Sequence, residues 1–280
     1  MKRVFLTFGI AATVVFAARA DNAPELNRHH FPDKAHAAKP GGGGASNLVN
    51  HGGPVIVSPR VVAIFWGPTW SSTSDPQQHI VGFFQTFATS GHMDMLPQYS
   101  NAAAGVIGGN LFSTFWNDTS TPPTNVTDAI LQQEVLKYFA PVAQGGGGGT
   151  FDASTIYEVF LPSTSFSSDG TSTSCGGPNL AYCAYHGHFS SSLGDVKYSS
   201  MPWPGCGGCQ SAGFTIAQNF DHFSCHETRE AITDEDLNAW FDRRGNEADD
   251  KCAWSPTPFI DPSGFAYQYE WSNAAGGCVK

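Results

Sequence analysis

The sequence predicts an α+β fold: a single domain with a mixed sheet, packed helices and a late helix that carries the chemistry. Three observations predict it. Short β-branched and aromatic runs recur between turn residues. Two amphipathic segments lie among them. Near the C-terminal end, the segment His226-Glu227-Thr228-Arg229-Glu230 places its polar residues at helical spacing. A chain of 280 residues is long enough to bury a sizeable core.

The elements follow in order. Residues 1–20 read as a secretory signal peptide, with Lys2 and Arg3, an apolar run over 4–17, and the small-x-small pattern Ala18-Arg19-Ala20. The run is shorter than the roughly 20 residues of a membrane-crossing helix. An exported protein without a membrane span is expected, extracellular or periplasmic. Residues 21–49 include Pro40 and Gly41 to Gly44 and show no apolar periodicity, so they are expected to form a disordered, Gly-rich leader, with the domain over 50–280. Residues 55–65 read as a strand pair turning at Ser58-Pro59. Asp75 reads as the cap of a helix with Pro76 at its first position. Ile80, Phe83, Phe84 and Phe87 then share one face. A second helix is capped by Thr127 and carries Ile130, Leu131, Val135, Leu136 and Phe139. Gly145 to Gly149 read as a surface loop, and further strands are expected at 106–115, 155–161, 181–189 and 196–199. The last helix is expected over 213–233, where Phe214, Ala217, Phe220, Phe223 and Ala231 predict burial between layers.

Charge excludes some partners. The chain has 24 acidic against 14 basic residues, and three of the basic ones, Lys2, Arg3 and Arg19, leave with the signal peptide. Such a surface repels nucleic acid and anionic membranes. The seven cysteines all lie in the C-terminal half, which in an exported chain suggests up to three disulfides and one thiol left over. Short separations favour pairing Cys175 with Cys183, Cys206 with Cys209, and Cys252 with Cys278, leaving Cys225 free. A zinc-knuckle reading of Cys206-Gly207-Gly208-Cys209 lacks a second cysteine pair at matching spacing.

Residues four apart on a helix share a face, so His226 and Glu230 can point at one cation with Glu227 beside them. This is the layout of a metallopeptidase helix, with a carboxylate where a second histidine usually stands. A third ligand must come from downstream, and Glu247 and Asp250 follow the turn at Asp242-Arg243-Arg244-Gly245. His226 favours zinc, whereas the oxygen-rich remainder of the set makes calcium or manganese the alternatives. Glu227 is the candidate general base on a metal-activated water. His186, within Tyr185-His186-Gly187-His188, is the candidate donor to an oxyanion, with Tyr267 and Tyr269 as others. A hydrogen-bonded pair of His226 and Glu230 on a buried helix would give the same spacing without a metal. His29-His30 reads as a solvated pair in the leader, and His51 as the brace of a turn. No phosphate-cradling loop or nucleophile elbow is present in the sequence.

The stretch 226–254, HETREAITDEDLNAWFDRRGNEADDKCAW, resembles the Exordium-like (phosphate-induced) secreted proteins of plants and their bacterial relatives. Their pattern is a His-Glu-x-x-Glu helix, an Asn-Ala-Trp segment and Glu-x-x-Asp-x-Cys. Weaker similarity lies at His51-Gly52-Gly53-Pro54-Val55, at 175–186 and at 206–209. His226, Glu227, Glu230, Glu247, Asp250 and Cys252 fall on the family's motif positions. Asp234-Glu235 stands where asparagine-proline is expected, and Cys225 directly precedes the histidine. The resemblance implies a secreted or wall-associated protein with a zincin-like domain. Two functions are carried forward. One is a metal-dependent, peptidase-like hydrolase acting on an extracellular peptide or protein, or on a cell-wall or matrix component. The other is a non-catalytic extracellular binding or signalling protein with a structural metal site.

Overall fold

Strand β2 (Arg60–Trp66) sets the layering, because its residues alternate between two apolar layers. Val61, Ala63 and Phe65 enter one core cluster, and Val62, Ile64 and Trp66 enter another. A strand buried on both faces reads as a continuous apolar run, as this one does. The structure is a computed structural model that describes residues 28–37, 46–101 and 111–280. The signal peptide, Gly41 to Gly44 and residues 106–110 lie outside the described residues.

The fold is α+β, with a mixed six-stranded sheet between helices. The other strands are β1 (Arg28–Pro32), β3 (Phe112–Asp118), β4 (Thr155–Phe160), β5 (Tyr182–Ser191) and β6 (Gly194–Met201). Their spatial order is β1-β5-β6-β4-β2-β3. β6, β4, β2 and β3 run parallel, while β5 is antiparallel to both β6 and β1. Helices α1 (Gln77–Phe87) and α3 (Ile216–Thr233) cover one face, and α2 (Asp128–Tyr138) packs on the other.

Local chemistry explains the elements. Ile80, Phe83, Phe84 and Phe87 are all buried, as their spacing predicts. The N-cap position is Pro76 and no side chain caps the helix, so Asp75 does not take the role expected of it. α2 likewise begins after Thr127 without a side-chain cap, and buries Leu131 and Val135. α3 opens on a capping box: Thr215 Oγ1 accepts from Gln218 N at 3.1 Å, and Gln218 Oε1 accepts from Thr215 N at 3.0 Å. Beyond its end, Asp234 accepts from the backbone N–H groups of Asn238 and Ala239 at 2.6 and 2.5 Å, which turns the chain back.

Three further expectations are corrected. Within the region read as a disordered leader, residues 28–32 form β1, and Leu48 is buried beside Tyr99 and Trp271. Residues 55–65 do not make a strand pair. Pro59 interrupts the run, and Val55 and Ile56 are buried without ladder pairing, with Ile56 N bonded to Ile232 O at 2.9 Å. The disulfides are Cys175–Cys206, Cys183–Cys209 and Cys252–Cys278, with Cys225 free and buried. Two of the three pairings therefore follow the spatial neighbours of a 3₁₀ turn at Gly207–Cys209 instead of the shortest separation. Gly145 to Gly149 form a loop, as expected, and a Cβ at Gly149 would lie 2.1 Å from the Tyr138 ring, so the backbone passes directly over that ring. Among the described residues no helix is long and apolar enough to cross a membrane.

Candidate metal centre

The sheet register assembles the floor of the site. His29 on β1 pairs with His186 on β5, His186 pairs with Ser199 on β6, and Ser199 pairs with Glu158 on β4. Directly paired residues project to the same face. These four polar side chains therefore form one row beneath α3. The helix answers the row: His186 Nδ1 lies 2.9 Å from Glu227 Oε2, and Thr228 Oγ1 donates to Glu158 Oε1 at 2.5 Å.

The downstream loop closes on the helix through Glu230. Its Oε1 accepts from the backbone N–H groups of Asp249 and Asp250 at 3.1 and 2.9 Å. Its Oε2 is left facing His226 Nε2 at 3.1 Å and His186 Nδ1 at 3.9 Å. Asp250 Oδ1 lies 3.6 Å from His226 Nε2, and Glu247 Oε1 lies 3.7 Å from His186 Nε2. His29 reaches in from β1, with Nε2 at 2.6 Å from Asp250 Oδ2 and Nδ1 at 3.4 Å from Glu247 Oε1. Three overlapping groups bring ligand atoms within 4.8 Å of one another: His226, Glu230 and Asp250; His186, Glu227 and Glu230; His29, Glu230 and Glu247. Glu230 belongs to all three.

Gln268 settles the tautomer of His226. Its Nε2 donates to Asp249 O and Asp249 Oδ1, both at 2.8 Å, so its Oε1 is the atom facing the histidines. That oxygen accepts from His222 Nε2 at 2.9 Å and from His226 Nδ1 at 3.1 Å. With the proton on Nδ1, Nε2 of His226 is a bare lone pair aimed at two carboxylate oxygens. The same pattern extends across the cluster. His186 Nε2, His226 Nε2, Glu227 Oε1, Glu230 Oε2, Glu247 Oε2 and Asp250 Oδ1 are all buried without a hydrogen-bond partner. Buried acceptors are normally satisfied, and this set is converging acceptors without a donor. A cation is the group that satisfies them together, so the residues fit a metal ion.

Electrostatics agree. Burial, followed by repulsion from neighbouring carboxylates, pushes Glu227, Glu230 and Glu247 well above the usual carboxylate range. Burial also lowers His226, and lowers His186 strongly, which keeps both rings neutral as ligands must be. His29 is the exception: burial opposes its charge, but the Asp250 carboxylate overrides it and raises the ring to about 9. Arg229 does not serve the cluster. Its guanidinium is held by Asp249, lies 3.4 Å from Glu270 Oε2, and donates to His92 O at 3.2 Å.

The predicted residues thus come together: His226, Glu227, Glu230, Glu247, Asp250 and His186 occupy one buried cluster. The ring contacts of Tyr267 are with Phe83, Phe87, His92 and Phe259, and that of Tyr269 is with Phe259, none of them cluster residues. His51 stacks on Phe241, a residue of the short strand Trp240–Phe241, with ring centroids 3.7 Å apart. Sequence reasoning missed His29 and Gln268. Alternation in Arg28-His29-His30-Phe31 was the available signal for His29; nothing marks Gln268. Cys175, Cys206 and Cys209 also lie close together, but all three are in disulfides. His188, Asp195 and Asp236 form a further acidic group, and Lys197 pairs with both aspartates there. Comparison with models of known protein families, with characterised proteins and with solved structures finds no match for the chain.

Proposed function

We propose that the chain is a secreted, zincin-like metal-dependent hydrolase of the zinc peptidase type, with His226, Glu230 and Asp250 as the ligands and Glu227 as the general base. One observation carries the reading: the unprotonated Nε2 of His226 faces Glu230 Oε2 at 3.1 Å and Asp250 Oδ1 at 3.6 Å, with all three atoms buried and unpartnered. Those spacings suit a small ion bound by short contacts, and a histidine in the set favours zinc over calcium. Between the two downstream candidates, Asp250 approaches His226, whereas Glu247 approaches His186 and His29. When bound, the cation supplies Lewis acidity that polarises a carbonyl and acidifies water.

The remaining chemistry belongs to the protein. Glu227 stands next to His226 on the helix, and its Oε1 is free of hydrogen bonds. It can take a proton from the attacking water and return it to the leaving amine. His186 Nδ1 holds the other oxygen, Oε2, and so fixes the direction in which Oε1 points. We assign His186 to orienting the base. Gln268 in the same way orients His226. Three disulfides and the signal-like N-terminus support an extracellular or periplasmic setting with a peptide or protein substrate.

The test is zinc content and peptide-library digestion of the parent, His226→Ala and Glu227→Gln. His226→Ala is expected to lose zinc by orders of magnitude in affinity. Glu227→Gln is expected to keep zinc and lose about 10²- to 10⁴-fold in rate. One observation favours a second reading: the side chains of His186, His226, Glu227, Glu230, Glu247 and Asp250 are no more than 7 % exposed. A closed structural site in a non-catalytic binding or signalling protein would look the same. Tight zinc with no cleavage in any variant selects that reading.

A further inference from the structure

The cluster is covered by the chain's own N-terminal segment. β1 lies beyond β5, pairing with it antiparallel over five residues, and β5 without β1 would be the edge of the sheet. Alternation divides the work of β1 between two faces. His29 holds Asp250 and approaches Glu247, at 2.6 and 3.4 Å. Phe31 stacks on the His226 ring with centroids 4.0 Å apart and planes 17° apart, and on Trp254 at 5.1 Å. On the opposite face, Arg28 pairs with Asp128 at 2.8 Å, and His30 lies against Tyr182 at 4.5 Å. Trp254 Nε1 donates to Pro32 O at 3.0 Å.

β1 is one of the two outermost strands, β3 being the other, and it joins the rest of the chain through residues 38–45, which contain Gly41 to Gly44. Its two inward side chains land on candidate metal ligands. This is the arrangement of an extended peptide added to a sheet edge, where main-chain bonds give affinity and alternate side chains read pockets.

We propose that β1 is a displaceable cover, filling in cis the strip along β5 that an extended peptide takes when it docks to be cleaved. The word cleaved rests on the peptidase reading; the strip and its occupant do not. The substrate class this implies is a peptide able to lie as a single strand, with side chains two residues apart directed at the cluster. The cover excludes such a peptide as long as His29 and Phe31 remain seated.

The experiment inserts a site-specific protease sequence within residues 41–44 of the full mature chain and cuts it after folding. Hydrogen exchange is followed along β5, and binding of a synthetic peptide of residues 26–37 is followed by fluorescence anisotropy. The cut segment is expected to dissociate from a chain that stays folded by circular dichroism, with exchange along β5 rising at least about tenfold. The synthetic peptide should bind and restore protection. A peptide carrying His29→Ala and Phe31→Ala should bind at least about tenfold more weakly. A segment that leaves only on global unfolding makes β1 an integral strand and overturns the proposal. Uncut chain that digests a peptide library as fast as cut chain also overturns it. If the strip opens and rebinds the peptide but the cut chain cleaves nothing, the cover stands and the peptidase reading falls.

Discussion

Replacing Gln268 by leucine tests the logic of the centre without touching a proposed ligand. The substitution nearly preserves volume and removes five hydrogen bonds: two accepted from His222 and His226, two donated to Asp249, and one donated to Tyr269 O. Two consequences separate. For the metal, losing the partner that fixes a ligand's tautomer costs about 10- to 100-fold in affinity, which is about 1.4 to 2.8 kcal/mol. For folding, Asp249 keeps Arg229 and His222 Nε2 keeps Ala253 O at 3.1 Å, so the new orphan donor is His226 Nδ1–H. At about 1–3 kcal/mol for a buried unsatisfied group, the metal-free protein should lose about that much. Competition against a zinc chelator measures the first quantity, and urea denaturation in the chelator's presence measures the second. Gln268→Glu is the companion variant. It can still accept from both histidines but sets a carboxylate against Asp249, so it should bind zinc better than Gln268→Leu while remaining less stable than the parent. Zinc affinity unchanged in Gln268→Leu, with stability lowered, would remove the tautomer argument and with it the best evidence for His226 as a ligand.

Other expectations follow from buried charge. Arg229→Met strands Asp249 and Glu270 without their cation, so the denaturation midpoint should fall by the equivalent of about 3–5 kcal/mol; an unchanged midpoint rules the pair out as an anchor of the 247–250 loop. Glu158 carries a carboxyl that burial pushes up to about 8 against the opposing bond from Thr228. The folded state therefore keeps a proton that the unfolded chain, with the ordinary value of 4.5, releases, so this group makes stability fall as pH rises from about 4.5 to about 8. Glu158→Gln should match the parent at pH ~4 and exceed it above pH ~8 in metal-free thermal melts, and parallel curves would refute the assignment.

Much of the fold was legible where periodicity and burial coincide. α1 shows this, since each phenylalanine on its apolar stripe is buried. α3 is buried between layers as expected, although its apolar residues Ala217, Phe220, Phe223 and Ala231 take one side and the rest of its buried circumference is polar. The helix supplied three cluster residues at once, since spacing on a helix fixes direction. Contacts set by distant pairing were not legible. His29 sits in a polar five-residue strand whose order comes from β5, not from its own composition. Two of the three cysteine pairs failed for a related reason: loop length ranks closure entropy, but the sulfurs of Cys206 and Cys209 face Cys175 and Cys183. Gln268 carries no motif, because its role depends on a loop folding back against α3.

The row from His29 through His186 and Ser199 to Glu158 restricts which changes in chain length the site survives. Strand side chains alternate with a period of two. One extra residue inside β5, between His186 and the turn at Ser191–Gly194, leaves the hairpin paired and the core volume almost unchanged. It would nonetheless carry His186 from the α3 layer to the α2 layer and erase the centre outright. Two extra residues would preserve the face but move the ring about 7 Å along the strand. Loops between the strands can lengthen freely, whereas within them the site depends on parity. Its most restrictive inheritance is therefore an even or odd count of residues, a quantity that no substitution scan would reveal.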